Sequence, residues 1–357
     1  MDKEHICQSH SISARERTAP LLVHDGHHAV IDIHCHLNIH AADTFVQATG
    51  DLPSASSDFS SPASDEANRR QFADICEKLN VIDARLNDMD SAGIDIQAIS
   101  PSPGQYYYWT QPEIGRQAAE LVNNGIAEAV SRHPERLVGM GTVPLQCVEM
   151  AVAELKRLSC DLGLRGVEIS TNVNGRELAS PEFRPFFEAA ENLGILIFLH
   201  PLGFSHGQRL SDHYFNNIIG NPLDSTVAVS HLIFGGVLDR HPGLKICVAH
   251  GGGYLPFYFG RMDHAFCART DCRDNIDRLP SSYLHQLYFD TLVFDRRQLE
   301  FLIEVYGADR LMLGTDYPFD MSEADPVAFL ANLPPDDRDK IFGATAARLL
   351  GLVQSSK

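Results

Sequence analysis

The 357-residue chain is 44% hydrophobic and 21% charged, ordinary for a globular protein and long enough to bury one large core. Its 47 acidic against 29 basic residues give a formal charge of −18, which argues against nucleic acid and anionic membranes, since both need a basic surface. No apolar run approaches the roughly 18 residues of a membrane span, while a small anionic substrate stays open, because it answers to a pocket's local field.

Residues 1–28 are polar and His-rich and read as an N-terminal arm without the apolar stretch of a secretory signal. The domain proper, 29–357, opens on the strand run Val30–His36. Residues 41–76, containing DLPSASSDFSSPASDEANRR, separate that strand from its helix. They read as an insertion, either a lid or substrate loop or a plain surface loop. Further strand runs follow at Ile94–Ser100, Leu137–Val143, Leu164–Ser170, Ile195–His200, Leu244–His250, Gln286–Thr291 and Arg310–Asp316. Amphipathic helical stretches lie between them at Ile114–Arg132, Val148–Leu158 and Arg297–Tyr306, and Asp336–Leu350 supplies a closing helix.

Strands alternating with helices imply a parallel sheet with right-handed crossovers. Eight such units close a (β/α)₈ TIM barrel. No GxGxxG opens a helix after the first strand, which argues against a doubly wound sheet. The eight cysteines are scattered without a CxxC pair, so reduced thiols and a cytoplasmic location are expected. Cys267 and Cys272 lack the second half of a zinc site.

His34-Cys35-His36 puts two imidazoles on one side of a strand. With 17 histidines in the chain, about one such pair arises by chance, so position must decide. Three other strand runs end on His200, His250 and Asp316. In barrels of this kind catalytic groups come from the strands' C-terminal ends, whereas a structural histidine can sit anywhere. Imidazole and carboxylate together suit one divalent ion, Zn²⁺ first and Mn²⁺ second, with a position left open. Tyr106–Trp109 follows the second strand and can wall a planar substrate or simply pack. His206 and His213 follow the fifth strand but read as surface residues, as do His27 and His28 in the arm. His231, His241 and His264 stand in no motif.

In combination, HxH on the first strand, His200-Pro201, His250–Gly253 and Gly314–Phe319 resemble the amidohydrolase superfamily. Within it they are similar to the branch of the aminocarboxymuconate-semialdehyde and nonoxidative aromatic-acid decarboxylases. The likeness spans about Val30 to Leu350 and includes Asp88-Met89-Asp90, Pro134-Glu135-Arg136 and Gly251–Arg261. It implies that His34, His36, His200 and Asp316 ligate one metal, with His250 the catalytic histidine and Asp316 assisting it. It also implies that Phe319 lines the pocket and that Arg261 reaches a neighbouring subunit's substrate, hence a homodimer. The chain departs from the muconate enzyme in two places. No second substrate arginine aligns, Arg69 and Arg70 being nearest, and Leu202 stands where that enzyme has Trp.

None of the six lysines lies in Leu164–Ser170, so the carboxylated lysine of the binuclear relatives has no counterpart. Glu168 can take its place only if it faces inward, and pairing with Arg165 or solvent is the expectation. The resulting reading is a metal-dependent, organic-cofactor-free decarboxylase of an unsaturated or aromatic carboxylic acid. The alternatives are a hydrolase or hydratase built on the same ligands, and a barrel that binds without turnover.

Overall fold

The β-branched runs take up extended backbone because branched side chains pack well on a pleated surface. Eight become parallel strands: β1 (Ile31–Leu37), β2 (Ile96–Pro101), β3 (Leu137–Gly141), β4 (Gly166–Ile169), β5 (Leu196–Leu199), β6 (Lys245–Val248), β7 (Tyr288–Asp290) and β8 (Leu311–Met312). The structure, a computed structural model, describes residues 23–24, 27–50 and 59–352. Each strand pairs with the next in chain order. The ring closes where Ile33 N donates to Leu313 O at 3.0 Å and Asp316 N to His34 O at 2.7 Å. The expected (β/α)₈ barrel is therefore the observed architecture.

Around it run α1 (His40–Thr49), α2 (Pro62–Asn80), α3 (Ile82–Ala92), α4 (Pro112–Arg132), α5 (Val148–Cys160), α6 (Arg184–Leu193), α7 (Asn221–Phe234), α8 (Gly260–Ala268), α9 (Arg296–Tyr306) and α10 (Thr345–Leu349). One apolar layer joins the outer strand faces to the helices, for example Val167, Ile197 and Val248 to Val122, Leu155, Phe186 and Leu232. A second, formed by Ile31, Ile33, Ala98, Met140, Phe198, Cys247 and Met312, fills the barrel interior.

β1 breaks strict alternation. Asp32 pairs with Gln97 but Cys35 with Ile99, so β1 carries one extra residue there. Such a bulge lets two successive residues face one side. Ile33 accordingly packs in the interior cluster, His34 joins the imidazole group described below, and Cys35 turns to the outer layer.

Three regions differ from the sequence reading. Where described, 41–76 is largely helical, with α1 starting at His40 and α2 at Pro62. The Ser61 side chain caps α2 by accepting from Ser64 N, so this serine marks a helix start rather than a loop. The closing helix is divided into Pro335–Asp339, a π turn over Lys340–Ala344 and α10. Gly343 explains the approach, since a Cβ there would lie 1.9 Å from Ala29 O. Finally, Cys160 is disulfide-bonded, against the expectation of uniformly reduced thiols, because linear spacing does not report which sulfurs approach in space. Cys35, Cys76, Cys147, Cys247, Cys267 and Cys272 are free.

Most of the arm expected over 1–28 lies outside the described residues; Val23–His24 and His27–His28 form a short antiparallel pair. Among the described residues no helix is long and apolar enough to cross a membrane.

Candidate metal centre

Two strand ends and the segment after β8 bring four side chains together. His34 and His36 come from β1, His200 follows β5 directly, and Asp316 lies four residues beyond β8 with φ +62°. One ligand atom from each lies within 4.8 Å of the others, and all four residues are buried. His34 Nδ1 is 2.7 Å from Asp290 Oδ2, and His36 Nδ1 is 3.0 Å from Pro101 O. Each contact holds a hydrogen on Nδ1 and turns Nε2 inward with its lone pair free.

The inward atoms test whether an ion fits. His34 Nε2, His36 Nε2 and both nitrogens of His200 are buried without a hydrogen-bond partner. Buried polar atoms left this way are costly. Asp316 Oδ1 approaches His34 Nε2 at 3.3 Å and His36 Nε2 at 3.2 Å. Three imidazoles and a carboxylate converging so closely are the donor set of one divalent ion bonded at about 2.0–2.2 Å. The charge agrees: four buried carboxylates adjoin the two β1 histidines, Asp290, Asp316 and Asp32 against His34 and Glu168 against His36, while the Arg85 guanidinium donates to His36 O. A divalent cation offsets this acidic excess.

Electrostatics sort the groups. Burial, reinforced by the neighbouring imidazoles of His36, His34 and His250, holds the His200 pKa well below its usual value, so it stays neutral and able to ligate. Burial pushes Asp316 up, but His34, His250 and His36 outweigh it and hold the carboxylate well below its usual range. For His34 burial acts downward and is overcome by Asp316 and Asp290, which raise it to about 10. A proton and a metal ion compete for that nitrogen, so ion binding there releases a proton.

His250 sits beside the four. Its Nε2 is 3.8 Å from Asp316 Oδ2, its ring is 5.0 Å from that of His200, and Nδ1 has no partner. Its side chain is 15% exposed, whereas His34 and His36 are fully enclosed, so the open side of the centre is at His250. Phe319 packs at 5.4 Å against His36, and Phe72 of α2 at 6.3 Å against Phe319.

Of the aromatic run, Tyr106 reaches the centre. Its hydroxyl donates to Glu168 Oε1 at 2.5 Å and lies 3.3 Å from His200 O, and its ring stacks on Tyr108. Trp109 packs against Tyr107 in the outer apolar layer. Arg261 is exposed on α8. His206, His213, His231 and His264 are exposed, and His241 pairs with Glu191.

The expectation for Glu168 is corrected. Arg165 is exposed and Glu168 fully buried, because Val167 and Ile169 face the outer layer and alternation turns Glu168 inward. Its Oε2 is 3.7 Å from His36 Nδ1, and burial raises its pKa.

Several residues of the site escaped the sequence reading. Asp290 ends β7 as Asp316 follows β8, so the same strand-end rule would have found it. It accepts from His250 N at 2.9 Å, Gly251 N at 2.7 Å and Leu292 N at 3.1 Å, besides holding His34. Asp32 accepts from Thr315 Oγ1 and Gln97 Nε2, and burial raises it to about 6. Arg85 of α3 donates to Gln97 Oε1 and to His36 O, and lies over the Tyr317 ring. Nothing in the sequence around Arg85 or Asp32 marks them, since side-chain partners such as Gln97 for Arg85 and Thr315 for Asp32 lie 12 and 283 residues away.

Known proteins resemble this arrangement. The family profile described as Amidohydrolase matches residues 31–352. The 2-amino-3-carboxymuconate-6-semialdehyde decarboxylase of Dictyostelium discoideum is 36% identical over 274 residues, 76% of this chain and 76% of that protein. Gamma-resorcylate decarboxylase of Rhizobium radiobacter is 27% identical over 289 residues, 77% and 88% of the two chains. The crystal structure of 5-carboxyvanillate decarboxylase LigW from Sphingomonas paucimobilis has a TM-score of 0.81 at 26% identity, covering 91% of this chain and 99% of that one.

Proposed function

The chain belongs to the amidohydrolase family, and from that premise we propose that it is a metal-dependent, organic-cofactor-free decarboxylase of a small aromatic or unsaturated carboxylic acid. The observation that carries this reading is the four-residue donor set with His250 standing 3.8 Å from Asp316 on its open side. It is supported by relatives that are themselves named as decarboxylases.

His34, His36, His200 and Asp316 would hold one divalent ion, Zn²⁺ by the imidazole-rich donor set, with Mn²⁺ the second choice. The bound ion supplies a Lewis acid for the substrate carboxylate and an adjoining oxygen. Loss of CO₂ breaks a carbon–carbon bond and leaves its electron pair on the substrate carbon. His250 supplies the proton that takes the place of CO₂, standing on the open side within reach of the substrate carbon. Asp316 lies between that imidazole and the ligand histidines, and orients it. Phe319, backed by Phe72, offers an apolar wall for a planar substrate, and Trp109 buttresses the aromatic run through Tyr107.

The same reading includes a homodimer in which Arg261, exposed on α8, meets the substrate carboxylate of the neighbouring subunit. It also includes a cytoplasmic location, which fits the six free thiols among the described residues, Cys160 being the exception there. The test is a panel of hydroxybenzoates and dienoic acids incubated with metal-loaded protein, with CO₂ release measured. Cleavage of an ester, amide or lactone without CO₂ from any acid would replace decarboxylation by hydrolysis.

A further inference from the structure

Among the described residues, Asp290 is the side chain that hydrogen-bonds both to the His34 imidazole and to the backbone of His250. Oδ2 holds His34 Nδ1 at 2.7 Å and His250 N at 2.9 Å; Oδ1 takes Gly251 N at 2.7 Å and Leu292 N at 3.1 Å. The residue is fully buried, so no solvent competes for these bonds. His250 and Gly251 have φ of +57° and +61°, and a non-glycine residue keeps such backbone only where its surroundings hold it. A carboxylate can only accept, so His34 must carry its hydrogen on Nδ1 and present Nε2 to the ion.

We propose that Asp290 is a positioning residue that fixes two groups at once, the His34 tautomer for metal ligation and the left-handed turn that aims His250 at the substrate. The inference rests on the roles given above to His34 and His250. It predicts that metal affinity and turnover at saturating metal both depend on one side chain that touches neither substrate nor ion.

Asp290→Asn is the discriminating variant because it keeps the shape. If the amide nitrogen faces Oδ2's partners, it opposes His34 and the His250 N–H; in the other orientation it opposes Gly251 and Leu292. Donor meets donor either way. The expected result is Mn²⁺ binding weakened about 10- to 100-fold by calorimetry, in keeping with the loss of a ligand's outer partner. With metal saturating, kcat should still fall at least tenfold while KM stays within about twofold, the pattern of a misplaced reacting group rather than lost substrate binding.

A merely structural role would lower Tm while leaving both the Mn²⁺ constant and the metal-saturated kcat at wild-type values, and that result overturns the proposal. Loss of affinity with an unchanged saturated kcat overturns its second half. Should the Asn chain not fold, Asp290→Ser reads the same two quantities, since it leaves room for a water to serve the backbone amides while removing the acceptor from His34. Wild-type protein that binds no Mn²⁺ would instead defeat the metal reading itself, an outcome distinguishable from equal binding by both chains.

Discussion

At the scale of single residues, holding a metal and moving a proton are proposed for different side chains. His34 has no exposure and one orienting contact, so His34→Ala should lose metal and activity together, as metal analysis and CO₂ release on the same sample would register. His250 is different. It keeps its own Nδ1 unpartnered and reaches the open side, so His250→Asn should retain the metal and lose about 10²- to 10⁴-fold in turnover. In D₂O the wild-type product should carry deuterium at the carbon that lost CO₂. A variant within tenfold of wild type, or product without deuterium at that carbon, would remove His250 from the proton step.

At the scale of elements, β1 does most to place the site, and its position depends on the chain's far end. The bulge at Ile33–His34 lets His34 face inward one residue out of register. The start of the same strand is approached by Gly343, where a Cβ would meet Ala29 O at 1.9 Å. Gly343→Ala should push the π turn off the barrel and cost about 1–3 kcal/mol by overpacking. The sign is a lower urea midpoint with unchanged m. An unshifted midpoint would mean the turn yields without strain. On α3, Arg85 ties β1 to β2 through His36 O and Gln97, so a helix outside the barrel braces the strand carrying two of the proposed ligands.

At the scale of the molecule, one site implies one ion. Protein purified without added metal should contain about one equivalent, and chelation should lower Tm, since an ion that binds only the folded chain stabilises it by mass action. Two equivalents, both required for activity, would mean that Glu168 joins a second site. The homodimer is checked by complementation. A heterodimer of an Arg261→Ala chain with a His250→Ala chain keeps one site with its own His250 and an intact partner arginine. Partial activity is expected, and none in confirmed heterodimers would put Arg261 outside the neighbouring site.

The eight strands were legible because a β-branched apolar run between turn residues has few other places to go, and each expected run overlaps an observed strand. His34, His36, His200, His250 and Asp316 were legible because the barrel brings strand ends to one face, and a rule of position needs no contact information. Their grouping within 4.8 Å for the four that could hold an ion is what that rule anticipates. Glu168 was misjudged because its strand parity is visible only once Val167 and Ile169 are seen against the helices. Asp32, Arg85 and the bulge in β1 were invisible for a related reason: a buried charge is defined by partners far away in sequence, and one extra residue in a strand leaves no compositional mark. The sequence by itself determined the barrel, the order of its elements and the placement of His34, His36, His200, His250 and Asp316 near its mouth, since periodicity and position are local properties. Only the tertiary structure decided which way Glu168 faces, that Asp290 joins His34 to His250, and that Asp316 stands beyond its strand, because hydrogen bonds between segments form only after the ring has closed.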